Sequence, residues 1–275
     1  MSNYFMSRMK RLLRIPESEP SGRMSFEEQN IMKMRSFHNK YRNERCFIIG
    51  NGPSLNKIDL TLLKGEYTFG VNGIFYKYDE MGFKPTFYVV EDSHVIDDNL
   101  ERINAINYSH KFFPHFYNNM IKRDADTTFM NTDFGFYKTK GPHYRVPRFS
   151  IDCSEVVYAG QSVTYLNLQL AYYFGFQNVY LIGMDFSYAV PESSVVSKDT
   201  IISNEDDPNH FHPDYFGKGK KWHDPKLDNC KMVYEYAKKV YEEKGKNIFN
   251  ASIGGKLEVF ERVDFNRLFD KRRSS

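Results

Sequence analysis

The chain has 275 residues, of which 41% are hydrophobic and 16% aromatic, so it can bury the core of a large α/β domain and is not globally disordered. Its formal net charge of +3 is too small to indicate nucleic-acid binding. The 3 cysteines form no zinc motif or disulfide framework, which favours a reducing cytoplasm. No signal peptide is recognisable, and no apolar run approaches the ~20 residues of a transmembrane helix.

Residues 1–24 are predicted to be an appendage to the main domain, which spans 25–275. Apolar residues between Phe5 and Leu13 would share one helical face, with arginines and a lysine on the other. Such a basic amphipathic helix can lie on an anionic membrane surface. Peripheral contact with the inner face of the plasma membrane through residues 1–14 is therefore predicted. A loosely ordered tail and a helix docked on a partner protein are the alternatives.

Strand-like and helical patterns alternate in the main domain. A capping box at Ser25–Glu28 predicts a helix from Phe26 to about Tyr41. The alternation predicts an α/β fold, a single Rossmann-like domain whose mainly parallel sheet is flanked by helices. The predicted strands are 46–49, 67–71, 86–90, 156–158, 179–182 and 247–249, and the later predicted helices are 161–174 and 228–244.

The first predicted strand runs into a tight turn, Gly50-Asn51-Gly52-Pro53-Ser54. Two glycines allow a sharp turn and a close approach to a ligand, and a helix beginning near Ser54 would direct its free N–H groups at a phosphate. The third glycine of the dinucleotide motif and the lysine of a P-loop are missing. A plain strand-to-turn connection therefore remains the alternative.

Polar side chains follow four of the predicted strands. In an open parallel sheet these strand ends meet in one crevice, where ligands bind; the alternative is that such residues are simply good turn formers. The residues concerned are Asn51, Asn72 with Gly73, Glu91 with Asp92, and Asp185. No metal is favoured, but Glu91 and Asp92 follow an apolar strand and are better metal candidates than Asp124-Ala125-Asp126, which does not.

Residues 189–225 interrupt the alternation with a long polar stretch, which predicts a lid that orders on ligand binding, or else a disordered excursion. The lid candidates are His210, His212 and Tyr215. The spacing of the two histidines is a weak metal signal. His223, just before the next helix, is a candidate general base.

A helix opens at Gln161 and Ser162, where free N–H groups and a hydroxyl would hold a carboxylate or phosphate, or form an ordinary N-cap.

Three segments resemble a known family when they are taken in order. They are GNGPSL with the following ID, the block GQSVTYLNLQLAYYFGFQNVYLIGMDFSY, and WHDP before a late helix. Together they resemble the bacterial lipooligosaccharide sialyltransferases. They also resemble a broader group that contains proteins of surface-polysaccharide and flagellin-glycosylation loci and relatives of the archaeal 6-hydroxymethylpterin pyrophosphokinase. The resemblance covers roughly residues 45–255.

The sialyltransferase resemblance implies a Rossmann-like domain with a lid that uses a CMP-activated acidic sugar and no metal. The implied roles are nucleotide and phosphate binding by Asn51, Gly52 and Ser54, donor contact by Asn72, carboxylate binding by Ser162, phosphate stabilisation by Tyr188 and proton removal by His223. Two departures concern the donor. Gly73 replaces a larger polar residue, and Glu91-Asp92 lies where the family has an asparagine, which leaves room for a metal and a diphosphate donor.

The predicted function is that of an inverting glycosyltransferase of surface-glycan assembly, without a cofactor. Its partners would be a nucleotide-sugar donor and a glycan or lipid-linked glycan acceptor, and homo-oligomerisation stays open. One alternative is a 6-hydroxymethylpterin-type diphosphokinase that uses ATP and Mg²⁺ and holds the metal with Glu91, Asp92 and Asp185. Another is a non-catalytic nucleotide-binding assembly protein.

Overall fold

The structure is a computed structural model that describes residues 24–197 and 200–270. Residues 1–14, with their predicted membrane contact, lie outside this part of the chain. In the described residues, no helix is both long and apolar enough to cross a membrane.

An eight-stranded parallel sheet with helices packed on it forms the body of the fold, which is the predicted Rossmann-like architecture. The strands are β1 (Arg45–Ile49), β2 (Tyr67–Val71), β3 (Phe87–Val89), β4 (His110–Pro114), β5 (Thr127–Met130), β6 (Thr132–Asp133), β7 (Val157–Tyr158), β8 (Asn178–Ile182), β9 (Val195–Ser197), β10 (Thr200–Ile202), β11 (Lys221–His223), β12 (Asn247–Asn250) and β13 (Glu261–Arg262). The helices are α1 (Phe26–Arg35), α2 (Tyr78–Met81), α3 (Ser93–Asn104), α4 (Val163–Phe174) and α5 (Leu227–Glu242).

The order of strands in the main sheet is β13-β12-β8-β1-β2-β3-β4-β5. The chain therefore moves outward from β1 to β5 and later returns to the other side of β1 at β8. Ile49 at the end of β1 pairs with Ile182 at the end of β8. A reversal of this kind opens a crevice at the carboxyl ends of the strands, which is where open α/β sheets bind ligands.

Helix α1 begins with the predicted capping box at Ser25 but ends at Arg35, not near Tyr41. The N–H groups of Asn39 and Tyr41 donate to carbonyls at the end of α4, those of Tyr173 and Phe174. Because these donors already have partners in another helix, the chain cannot continue as α-helix. Tyr41 then stacks on Phe176, and the segment closes one face of the core.

Strands β4 and β5 were not predicted from the sequence. Strand β4 carries Lys111, which is 1% exposed and which interrupts the apolar pattern. Its ammonium donates to Ile106 O at 2.7 Å and to Asp124 Oδ2 at 2.7 Å. The pair of aspartates that was set aside as a metal motif thus contains the counter-ion of a buried lysine. The predicted strand 156–158 is β7, which pairs with β6 in a separate small sheet.

The described residues of the segment 189–225 contain regular secondary structure, so the alternative of a disordered excursion is not what the structure shows. In the described residues of this segment β9, β10 and β11 form an antiparallel sheet. Four of its aromatic side chains are buried: Phe211, Tyr215, Phe216 and Trp222. The segment is bonded to the first turn, because Phe211 N–H donates to Asn51 O at 2.9 Å and Asn56 Nδ2 donates to Phe211 O at 3.0 Å.

Candidate functional site

A cavity of about 1160 Å³ opens at the carboxyl ends of β1, β2, β3 and β8. The start of α4 and the segment 189–225 form its other walls, and the volume suits a nucleotide with an attached group. Most of the predicted site residues line it: Gly50, Asn51, Gly52, Asn72, Glu91, Asp92, Gln161, Ser162, Asp185, Tyr188, His210, Tyr215 and His223. Ser54, Gly73 and His212 are not among its lining residues.

The first turn packs against the turn that follows β8. Gly50 N–H donates to Ile182 O and Gly52 N–H donates to Gly183 O. A Cβ added at Gly52 would lie 1.9 Å from Asp185 Oδ2, so a glycine is required because two turns approach each other. The sequence predicted that a ligand comes close to these glycines, but in the structure the turn after β8 does so.

Ser54 does not offer its donors to a phosphate, which corrects the prediction for this residue. Its backbone N–H and its hydroxyl both donate to Asp185 Oδ2, at 3.1 and 2.8 Å. The segment Pro53–Lys57 is a short 3₁₀ helix, not the start of an α-helix. The carboxylate of Asp185 thus takes the place that the sequence suggested for an anionic ligand.

Asn51 and Asn72 both line the cavity. Asn51 Nδ2 donates to Val71 O at 3.1 Å and to Tyr215 Oη at 2.9 Å. Because Val71 O can only accept, the orientation of this amide is fixed. The Oδ1 atoms of Asn51 and Asn72 are buried and have no hydrogen-bond partner in the described residues. Buried acceptors of this kind favour a ligand with donors, such as ribose hydroxyls or a base amine.

The carboxylates at the strand ends are bound to protein groups. Asp92 Oδ1 accepts from His94 N–H at 2.8 Å and caps α3. Glu91 Oε1 accepts from Tyr137 Oη at 3.2 Å. Burial raises the pKa of Glu91 to about 7, and the charge of Asp92 adds to this effect.

Hard cations take oxygen ligands in sets of six or more, and Mg²⁺ usually completes its set with waters and substrate phosphates beside one or two carboxylates. In residues 24–197 and 200–270, no group of three or more histidine, cysteine or acidic side chains is placed to hold a metal ion. Asp185 accepts from Ser54, Asp92 caps a helix, and Glu91 accepts from Tyr137. Each of these three carboxylates therefore has at least one oxygen bonded to a protein group.

The amino end of α4 faces the cavity. Ser162 is its N-cap, and the Ser162 hydroxyl accepts from Thr164 N–H at 3.2 Å and from Tyr234 Oη at 3.0 Å. Gln161 N–H donates to Tyr137 Oη at 2.8 Å. The Ser162 hydroxyl thus makes the hydrogen bonds of an ordinary N-cap. The amino end of this twelve-residue helix still presents positive potential to the cavity.

His223 lies in β11, and the centre of its ring is 4.4 Å from that of His94. His223 Nδ1 and His94 Nε2 are buried and make no hydrogen bond in the described part of the chain. Burial and the neighbouring His223 ring lower the pKa of His94, against the attraction of Asp92. His94 was not singled out in the sequence, because its ring meets His223 only in the fold.

The two histidines of the segment 189–225 have different surroundings. His210 Nδ1 lies 2.7 Å from Asp207 Oδ2, and its ring stacks on Tyr215 with centroids 4.1 Å apart. His212 stacks on Tyr76, away from the cavity lining. The two rings therefore do not converge on one metal ion. Tyr188 is 42% exposed and lines the cavity beside Trp222.

Comparison with known proteins identifies a family that the chain matches. Residues 26–191 match the family described as 6-hydroxymethylpterin diphosphokinase MptE-like. Among solved structures, the MAf glycosyltransferase from Magnetospirillum magneticum AMB-1 is similar, with 13% sequence identity and a TM-score of 0.48. The match covers 88% of this chain and 39% of that one, so the chain spans about two fifths of the neighbour's length. No curated protein matches the chain.

Proposed function

The chain belongs to the 6-hydroxymethylpterin diphosphokinase MptE-like family, and we propose that it transfers a sugar from an activated nucleotide to a hydroxyl acceptor. One observation supports this reaction above the others. Histidine rings line the cavity at the strand ends, whereas the carboxylates that would hold Mg²⁺ are engaged with other protein groups. Removal of a proton from a hydroxyl needs an unprotonated base near the reacting oxygen, and a neutral imidazole can supply it.

The nucleoside end of the donor would lie at the first turn. The unpaired Oδ1 atoms of Asn51 and Asn72 are acceptors, so they suit the hydroxyls of a ribose or the amino group of a base such as cytosine. This is a different role from the phosphate contact that the glycine turn first suggested. The backbone donors at Gly50 and Gly52 are already bonded within the chain.

An acidic sugar linked to CMP is the donor class we propose. The amino end of α4 at Ser162 and the side chains of Lys138 and Lys140 border the same cavity and would attract a carboxylate. CMP leaves with a single phosphate, whose charge hydrogen-bond donors can stabilise without a metal ion. The acceptor would be a glycan or lipid-linked glycan of the cell surface.

His223 is the proposed general base. It would take the proton from the acceptor hydroxyl as that oxygen attacks the anomeric carbon with inversion. It lines the cavity, and its ring lies against that of His94 in α3. Tyr188 at the cavity mouth would contribute a further hydroxyl to the phosphate.

Calorimetry with CMP, UDP, GDP and ATP, each with Mg²⁺ and with EDTA, tests the nucleotide and the metal together. The proposal expects CMP to bind best and to bind equally well in EDTA. Release of CMP from CMP-linked acidic sugars in the presence of a hydroxyl acceptor then tests the transfer. CMP binding without turnover of any donor would favour the non-catalytic assembly protein.

The family description suggests a second candidate function, a diphosphokinase that uses ATP. The adjacent acidic residues Glu91 and Asp92 at the end of β3 are the observation that favours it, since Mg²⁺ is often held by one or two carboxylates together with substrate phosphates. That reaction requires ATP binding that depends strictly on Mg²⁺. Tight metal-free CMP binding with no affinity for Mg²⁺-ATP would exclude it.

A further inference from the structure

The charge of the cavity wall poses a problem for a phosphate ligand. Among the described lining residues the only lysines and arginines are Lys138 and Lys140, which lie together on one loop. The acidic residues of the wall are Glu91, Asp92, Asp133, Asp185 and Asp224. A phosphate that gains charge as its bond to the sugar breaks therefore needs donors from other side chains.

Asp207 and His210 form a buried pair that could supply one such donor. The side chains are 3% and 10% exposed, and Nδ1 of the histidine lies 2.7 Å from Oδ2 of the aspartate. Burial alone would raise the pKa of Asp207, but the hydrogen bond from His210 and those from the amides of Asn209 and Phe216 outweigh it and hold that pKa low. Because an ionised carboxylate only accepts, the Nδ1 hydrogen must point to Asp207.

The other ring nitrogen of His210 is left for a ligand. In the described part of the chain Nε2 makes no hydrogen bond, and it is not among the enclosed unpaired atoms. His210 lines the cavity, and stacking on Tyr215 at 4.1 Å with an interplanar angle of 3° fixes the plane of its ring. A hydrogen-bonded and stacked imidazole of this kind is the arrangement in which a third group orients an acid or base.

Tyr215, whose ring stacks on that of His210, adds a second donor to the cavity lining. Its oxygen accepts from Asn51 Nδ2 at 2.9 Å and from Gly73 N–H at 3.1 Å, which uses both lone pairs. Its own hydrogen therefore remains for a ligand. Burial raises the pKa of Tyr215, so the hydroxyl keeps this hydrogen. A Cβ at Gly73 would lie 2.5 Å from the tyrosine ring, so the glycine makes room for it.

We infer that His210 and Tyr215 bind the phosphate that leaves with the nucleotide, and that Asp207 holds the histidine as its proton donor. This rests on the proposed function. The acceptor oxygen forms a bond to the anomeric carbon, and its proton goes to His223. The bond between that carbon and the phosphate oxygen breaks, and its electron pair stays on the oxygen. For this step His210 carries a hydrogen on both ring nitrogens, a charge that the Asp207 carboxylate stabilises. Its Nε2 proton passes to the leaving oxygen and its Nδ1 hydrogen stays in the bond to Asp207, so one imidazole gains the proton that the other loses.

Steady-state kinetics across pH tests the catalytic role. His210→Gln should lower kcat by about 10²–10⁴-fold and remove the fall in rate at high pH, where a proton donor is lost. Asp207→Asn should lower kcat less and move that fall to lower pH. The matched control is His212→Gln, a histidine of the same segment outside the cavity, which should stay within about twofold. A kcat for His210→Gln within threefold of wild type at every pH would overturn the inference.

Calorimetry with CMP and cytidine tests the phosphate contact without turnover. His210→Gln should weaken CMP binding roughly tenfold and leave cytidine binding unchanged, because only CMP carries the phosphate. Equal losses for both ligands would mean that the ring only packs, which would refute the contact. This assay tests the phosphate contact even if no sugar donor is turned over. In that case the proposed transfer reaction is refuted, while the phosphate contact is judged by binding alone.

If the His210→Gln variant does not fold, nuclear magnetic resonance of the wild-type protein with ¹⁵N-labelled histidine tests the same contact. CMP should shift an Nε2 resonance that cytidine leaves in place, and assignment through the His212→Gln spectrum excludes that residue. Identical spectra with both ligands would overturn the inference.

Discussion

Glu91→Gln should make the protein more stable at alkaline pH and change it little at acid pH. Glu91 is partly buried at the end of β3, and its pKa is about 7 in the folded chain against a reference value of 4.5. The folded state therefore holds this proton to higher pH than the unfolded state. Stability is greatest below the unfolded pKa and declines as pH rises through the folded one. Glutamine cannot ionise and escapes the decline.

The size of the effect follows from the two pKa values. A difference of 2.5 units corresponds to about 3 kcal/mol, an upper value because Glu91 keeps some contact with water. Between about pH 5 and about pH 8, the stability advantage of the variant should grow by roughly 2 kcal/mol. Tyr137 keeps an acceptor, because the glutamine amide oxygen can take the place of Oε1.

Urea unfolding at the two pH values measures this advantage directly. Glu235→Gln is the matched control, since that glutamate is 53% exposed on α5. Its effect should be small and independent of pH. An advantage of Glu91→Gln that is the same at both pH values would refute the reasoning, because the burial of a charge would then not be its cause.

Three further predictions concern the ligand, the reaction and the membrane. Asn51→Ala should weaken nucleotide binding by about 1–3 kcal/mol in calorimetry, and unchanged affinity in a folded variant would contradict the acceptor role of Oδ1. His223→Ala should lower kcat by about 10²–10⁴-fold while nucleotide affinity stays within a few-fold; a kcat within tenfold of wild type at every pH would remove it as the base. Deletion of residues 1–14 should release the protein from anionic vesicles in co-sedimentation without loss of activity on a soluble acceptor, and equal sedimentation of both forms would count against membrane contact.

The central strands could be predicted because the chain buries them on both faces. Strands β1, β2 and β8 are apolar runs that end at glycine or asparagine, and α4 ends at Gly175 in the left-handed conformation that glycine favours. Strand β4 escaped prediction because a lysine within it is neutralised by Asp124, thirteen residues later in the chain. A local pattern does not reveal such a partner.

The meeting of the strand ends in one crevice also followed from the sequence, but the state of each polar group did not. Ser54 looked like an anion site, and its donors are used by Asp185, a residue 131 positions away. Asn51 was expected to bind the nucleotide and its phosphate, but its Nδ2 donates within the chain, which leaves Oδ1 as an acceptor. Whether a side chain is available to a ligand depends on bonds between distant segments. Residue types and spacing therefore predicted which residues meet at one cavity better than which of their polar groups stay available there.

The segment 189–225 is better understood as a wall of the site than as a cover over it. It supplies both His210 and His223, and it is bonded to the first turn through Phe211. Asn51 donates to the same Tyr215 oxygen on which the proposed phosphate contact depends. A nucleoside that binds Asn51 Oδ1 would therefore hold the side-chain amide of Asn51 in place, and Nδ2 of the same amide positions the Tyr215 hydroxyl. Recognition of the nucleotide and stabilisation of its leaving phosphate would then depend on one hydrogen-bonded group.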